Sequence, residues 1–158
     1  FIISMMKKYR GYISVVLILV LFCSLVLFRD TLIRYASRNM TDRMEQSEKN
    51  VVEDSLSELY DYNTNKKSYE YTFLEFGSVG CHSCRQMEDV METIKQEYGG
   101  RVNVVFINIS LKKNRAFVDY FGIATIPTQV LLDKNGKEFF RHSGFLSAED
   151  LSKHFVER

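Results

Sequence analysis

YEYTFLEFGSVGCHSCR, residues 69–85, joins an alternating apolar stretch to two cysteines separated by two residues, and then to the start of a helix-patterned run. Tyr69, Tyr71 and Phe73 alternate as a strand that ends at Phe76-Gly77. Cys81-His82-Ser83-Cys84 falls at the following strand-to-helix turn, a spacing that lets the two sulfurs close a small ring. Unpaired amides at a helix start favour a thiolate on the first cysteine. The stretch predicts a redox-active dithiol with its chemistry at Cys81.

Past the cysteines, Met87, Val90, Met91, Ile94 and Tyr98 recur at helical spacing and mark one buried face, with Gly99-Gly100 as the stop. Val102 to Ile109 is nearly continuously apolar and β-branched, which predicts a central strand covered on both faces and parallel to the first. Lys112 to Phe121 predicts a second covering helix with Ala116, Phe117, Tyr120 and Phe121 on one side, ended by Gly122. Thr128 to Leu132 and Glu138 to Arg141 flank Asp133-Lys134-Asn135-Gly136, the turn chemistry of an antiparallel hairpin. Ser147 with Asp150 forms a capping signal for a last helix whose inward residues are Ala148, Leu151 and Phe155. Parallel and antiparallel strands together make the expected sheet mixed, and no internal repeat is present.

A chain of 158 residues has room for one compact domain of about 100 residues plus accessories. The net charge of +1 leaves no broad basic surface once Lys7, Lys8 and Arg10 are set aside, so nucleic acid is not an expected partner. Of three cysteines, Cys23 lies inside an apolar segment, where it behaves as a small hydrophobe. One remaining pair is too few for a disulfide framework, and a structural zinc site ordinarily takes four ligands. His82 could add a ligand, but His142 and His154 show no ligand spacing to it. No cofactor and no metal are expected.

Gly11 to Phe28, GYISVVLILVLFCSLVLF, is uncharged, and its ~18 residues reach roughly 27 Å as a helix, enough to span a bilayer. The basic tail, residues 1–10, precedes it, and no small-x-small cleavage pattern follows before Arg29, so retention as a signal anchor is expected. Met5 or Met6 as the natural start would make the basic front more signal-like. The tail favours an inside N-terminus, although Arg29, Arg34, Arg38 and Arg43 blunt the asymmetry. Residues 29–67 form a charged, partly helical spacer. Val52, Leu56 and Leu59 predict a helix that either packs on the domain or extends a stalk, and a surface helix is favoured over a coiled-coil dimer.

The order strand, CxxC, helix, strand, helix, Ile-Pro-Thr, hairpin, helix resembles the thioredoxin superfamily over residues 68–158. A second, distant motif agrees: Thr125-Ile126-Pro127-Thr128 holds the only proline in the chain. The resemblance implies an α/β thioredoxin-like fold with a mixed four- to five-stranded sheet flanked by helices, here behind an N-terminal transmembrane helix. It implies that Pro127 is cis, follows Ile126 and lies beside Cys81, shaping the substrate groove. Glu75 matches the buried carboxylate that sits six residues before the first cysteine in the family, where it exchanges a proton with the second cysteine, here Cys84; a surface glutamate paired with a lysine is the other reading. Gly80 stands where the family usually has tryptophan, and His82-Ser83 replaces Gly-Pro, so the reduction potential does not carry over. Protonated His82 could stabilise the thiolate, or it could be a solvated turn residue. The runs Gly77 to Cys81 and Ser143-Gly144-Phe145 look most like membrane-linked thioredoxin-like proteins.

The resulting expectation is a single-pass, membrane-anchored thiol-disulfide oxidoreductase with its domain periplasmic or extracellular. It would reduce protein disulfides and be recharged by a membrane electron-transfer partner; the oligomeric state stays open. Three alternatives remain: a disulfide-forming oxidase of the same fold, a copper or zinc metallochaperone using the cysteine pair, and a scaffold domain with a structural disulfide.

Overall fold

The computed structural model describes the backbone of residues 2–156 and the side chains of residues 12–155. The side chains of Lys7, Lys8 and Arg10, on which the basic tail rests, lie outside the described residues, as do residues 157 and 158. The chain divides into two units, residues 1–36 and 37–158. The first carries α1 (Ile2–Leu27) and the opening of α2 (Arg29–Asp42). Among the described residues no single helix is long and apolar enough to cross a membrane; Tyr12–Leu27 and Arg29–Asp42 meet that requirement only as a bent pair.

The second unit continues with α3 (Gln46–Tyr60), β1 (Tyr71–Gly77), α4 (His82–Tyr98), β2 (Val102–Asn108), a 3-10 turn (Lys112–Asn114), α5 (Arg115–Tyr120), β3 (Thr128–Leu132), β4 (Glu138–Ser143) and α6 (Ala148–Val156). The four strands run in the order β2-β1-β3-β4, with β1 and β2 parallel and the other neighbours antiparallel. Strand periodicity sends alternate side chains to opposite faces. Leu74, Phe76, Val130 and Leu132 meet Val52, Leu56 and Tyr60 of α3 and Val118 of α5 on one face. Tyr71, Phe73 and Leu131 meet Met87, Val90 and Ile94 of α4 and Leu151 and Phe155 of α6 on the other. Helices thus cover both faces of a mixed α/β sheet.

Three sequence expectations change in detail. β2, expected in the centre, is an edge strand, and Phe106 on it is 42% exposed. Apolarity on both faces of a strand reports helices above and below it, and says nothing about lateral neighbours. β1 and β3 take the centre, with every residue of both buried. The helix expected over Lys112–Phe121 is split, because Asn114 donates to the carbonyls of Leu111 and, through its side chain, Asn108, holding the first turn tight. Val118 is consequently buried while Ala116 is exposed. Around Val52 the helix packs on the domain, but Leu59 points outward and Tyr60 takes the inward place, in line with Val52 and Leu56 at steps of four.

Beyond α3 the chain is tied under the sheet by Tyr62. Its hydroxyl bonds the buried Thr72 hydroxyl at 2.5 Å and accepts from Asn103 Nδ2 at 3.0 Å, so the polar groups on this face of the sheet have partners. The hairpin behaves as its composition requires. Gly136 adopts φ +74° and Asp133 accepts from the amides of Asn135 and Lys137. Ser147 Oγ accepts from the Asp150 amide at 3.1 Å and donates to its carboxylate at 2.8 Å, closing the N-terminus of α6.

Candidate functional site

Cys81 occupies the N-cap of α4, with extended backbone (φ −85°, ψ 120°), and its sulfur accepts from the amide of Cys84 at 3.2 Å. The Ser83 hydroxyl stands 3.3 Å from the same sulfur. A helix of 17 residues directs its positive end at that atom, so negative charge on Cys81 sulfur is favoured by the amide, the hydroxyl and the dipole together. Cys84, one turn on, is 4% exposed and forms a disulfide with Cys81, with Cα atoms 5.2 Å apart. The half-buried sulfur is suited to attack, and the buried one to resolve.

Gly77, at the end of β1, makes the close approach possible. A Cβ there would meet the Phe106 ring at 2.9 Å and both Cβ and Sγ of Cys84 at 3.3 Å. Gly80 is free of that constraint: a Cβ on it would meet nothing within 4 Å. The surface beside the dithiol is open where a tryptophan was absent from the sequence.

The Ile126–Pro127 peptide is cis. Phe76 pairs with Thr128, so Pro127 stands level with Gly77, at the sheet end from which the turn to Cys81 departs. Gly144, at φ +107°, donates its amide to the Pro127 carbonyl at 2.8 Å, and Thr128 Oγ1 donates to the Thr125 carbonyl at 2.8 Å. Ile126 packs, partly buried, against the cluster formed with α3 and α5. Two exposed apolar side chains frame this end of the domain in sequence, Val79 before the cysteines and Phe145 after Gly144. His82 is solvent-exposed in the first turn of α4.

Glu75 is 0% exposed. It shares its face of β1 with Gly77, and hence lies in the column that leads to Cys84. Removal from water pushes its carboxyl up to about 8, against a smaller opposing pull from the Gln129 amide, which donates to Glu75 Oε2 at 3.0 Å. Of the two sequence alternatives, the surface ion pair is overturned by this burial. Sequence reasoning did not single out Gln129; its one signal is an amide directly before the apolar run Val130 to Leu132 in a strand of the expected hairpin. Among the described residues no three or more His, Cys, Asp and Glu side chains gather where a metal ion could be held.

Comparison with known proteins places this geometry. A family model described as a thioredoxin-like domain matches residues 60–157. The chain is 36% identical over 67 residues to a chloroplastic thioredoxin-like protein HCF164 of Oryza sativa subsp. japonica, a match that covers 42% of this chain and 26% of the rice protein. It is 32% identical over 79 residues to a thioredoxin of Haemophilus influenzae, covering 50% of this chain and 71% of that one. The chain therefore spans about a quarter of the rice relative and most of the bacterial one. Among solved structures, thioredoxin-2 of a malaria parasite superposes with TM-score 0.52 at 24% identity, covering 56% of this chain and 84% of that one. The exposed lipoprotein thioredoxin Etrx1 of Streptococcus pneumoniae superposes with TM-score 0.51 at 16% identity, over 60% and 89% of the two chains. These two likenesses concern the fold.

Proposed function

Because this chain belongs to the family of thioredoxin-like domains, we propose that it is a membrane-tethered thiol-disulfide oxidoreductase that reduces disulfides of extracytoplasmic proteins. The observation that carries the reading is Cys81 sulfur at the N-cap of α4, receiving the Cys84 amide, with its partner sulfur buried behind it. Cys81 thiolate attacks one sulfur of a substrate disulfide, forming a mixed disulfide and releasing the other sulfur as a thiolate. Cys84 then gives its proton to the Glu75 carboxylate and attacks Cys81 sulfur. The second substrate thiolate leaves, the Cys81–Cys84 disulfide remains, and both substrate thiolates take protons from water. Two electrons have passed to the substrate. A membrane electron-transfer partner restores the dithiol, and Glu75 returns its proton to Cys84. Pro127, Ile126, Val79 and Phe145 would line the groove that receives the substrate chain.

The tether rests on the segment 11–28. Its described large apolar side chains, from Tyr12 to Phe28, are exposed at 52–80% on all sides of the helix, a surface that water does not favour and lipid does. On this reading the spacer 29–67 leads from the anchor to the thioredoxin-like part, which faces outward, and no cofactor takes part.

Replacing Cys84 with serine tests the roles directly. Substrates are expected to accumulate as covalent adducts on Cys81, detected by mass spectrometry of detergent-solubilised protein; undiminished turnover without adducts would refute the assignment. A disulfide-forming oxidase would use the same residues, and His82 in the first turn of α4 is the feature that favours it. A measured reduction potential near that of thioredoxin excludes the oxidase; one near that of strong periplasmic oxidants excludes the reductase.

A further inference from the structure

Among the described residues two buried side-chain oxygens, Glu75 Oε1 and Gln129 Oε1, have no hydrogen-bond partner. They belong to side chains that already share one bond, Gln129 Nε2 to Glu75 Oε2 at 3.0 Å, and both side chains are 0% exposed. An orphaned acceptor at this depth has lost its water and gained no donor in return, so a single group that satisfies both is strongly favoured. A proton is such a group. Carried on Glu75 Oε1, it turns that oxygen into a donor, and the Gln129 carbonyl is its matching acceptor. A carboxylic acid facing a primary amide then closes a ring of two parallel hydrogen bonds, acid O–H to amide oxygen and amide N–H to acid oxygen.

We propose that Gln129 is a positioning residue that stores the resolving proton: it pairs with protonated Glu75 through two hydrogen bonds, and keeps one of them when Glu75 ionises. The inference rests on the reading of Cys81 and Cys84 as an exchanging dithiol and extends it to β3. The ladder makes the arrangement possible, because Glu75 stands directly opposite Gln129 in the β1–β3 register and the two side chains share a face. Burial raises the Glu75 carboxyl, so the protonated form that the pair requires is the one the folded chain favours. In the oxidised protein the pair holds the proton; when the disulfide is reduced, Cys84 leaves as a thiolate and takes it, and Glu75 becomes a carboxylate held by the Gln129 N–H alone. The proton count balances in both directions, with no further acid needed.

The surroundings leave few competing groups. α4 brings Cys81 and Cys84 to this face, and β4 brings His142, opposite Gln129. β2 contributes Phe106, opposite Glu75, and α6 contributes Leu151 and Phe155 to the same face.

The test is infrared difference spectroscopy of the oxidised full chain in detergent, between acid and alkaline pH. Wild type is expected to show a protonated-carboxyl band at the low frequency of a doubly bonded acid. Glu75→Gln is expected to abolish it, which assigns it. Gln129→Leu, and independently Gln129→Met should the first fold poorly, is expected to shift it upward to the position of an unbonded acid. A band that neither Gln129 variant moves overturns the pair, as does the absence of any such band in wild type at pH 6. Disulfide reductase turnover, followed on the same samples, separates the two claims: a band that neither Gln129 variant moves, in a wild-type protein that turns over, sinks the pair alone, whereas a band that the Gln129 variants shift, in a wild-type protein that does not turn over, sinks the function and leaves the pair standing.

Discussion

Glu75→Gln should stabilise the oxidised protein at alkaline pH and change little at acid pH. The carboxyl ordinarily titrates at 4.5, as it would in the unfolded chain, and burial raises it to about 8 in the fold. Between those values the folded chain binds a proton that the unfolded chain has lost. The stability this supplies is complete below 4.5 and is lost as pH rises through 8. At about 1.36 kcal/mol per unit, the whole shift amounts to roughly 5 kcal/mol, with about 3 kcal/mol already gone at pH 7. Glutamine keeps the shape and the bond to Gln129 but cannot ionise. Denaturant unfolding of oxidised wild type and Glu75→Gln, in detergent at pH 5 and pH 9, reads the difference. The variant's advantage is expected to grow by about 3–4 kcal/mol between the two pH values. Parallel pH dependences, within about 0.5 kcal/mol, would show that this carboxyl is not held neutral, and the account of Cys84's proton would fail with it.

Gly122→Ala is expected to cost more stability than Gly136→Ala, although both glycines have positive φ, +56° and +74°. At Gly136 an added Cβ would make ordinary contacts at 3.6 Å, whereas at Gly122 it would collide with the Ser37 carbonyl and the Thr41 hydroxyl. Thermal unfolding should show roughly 1 kcal/mol for the first kind of strain and at least twice that where collision is added; equal losses would contradict the packing of α2 on this turn. Ser83→Ala removes the hydroxyl 3.3 Å from Cys81 sulfur. The alkylation midpoint of reduced Cys81 should move to higher pH, and a midpoint that stays put would remove Ser83 from the site.

Much of this architecture could be read in the residues because local patterns and tertiary needs coincide. The stripe Met87, Val90, Met91 and Ile94 is the buried face of α4, and Thr128–Leu132 is β3 with the bounds its flanking turn chemistry sets. The lateral order of the strands could not be read, because periodicity reports which face of a strand is covered and not which strand lies beside it; β2 went to the edge for that reason. In the site, Cys81 and Cys84 announced themselves by spacing. Gln129 did not, because an amide in a core strand has meaning only once its partner across the ladder is known.

Everything proposed for this domain turns on Cys81 and Cys84 passing two electrons to a protein disulfide. Reduced full-length protein in detergent, mixed with an excess of a disulfide-bonded protein and quenched by alkylation, can be scored for both partners by mass spectrometry. One substrate disulfide is expected to open for each Cys81–Cys84 disulfide formed, and none with Cys81→Ser. Substrate reduction that persists without Cys81, or Cys81–Cys84 oxidation with no matching loss of substrate disulfide, would contradict it.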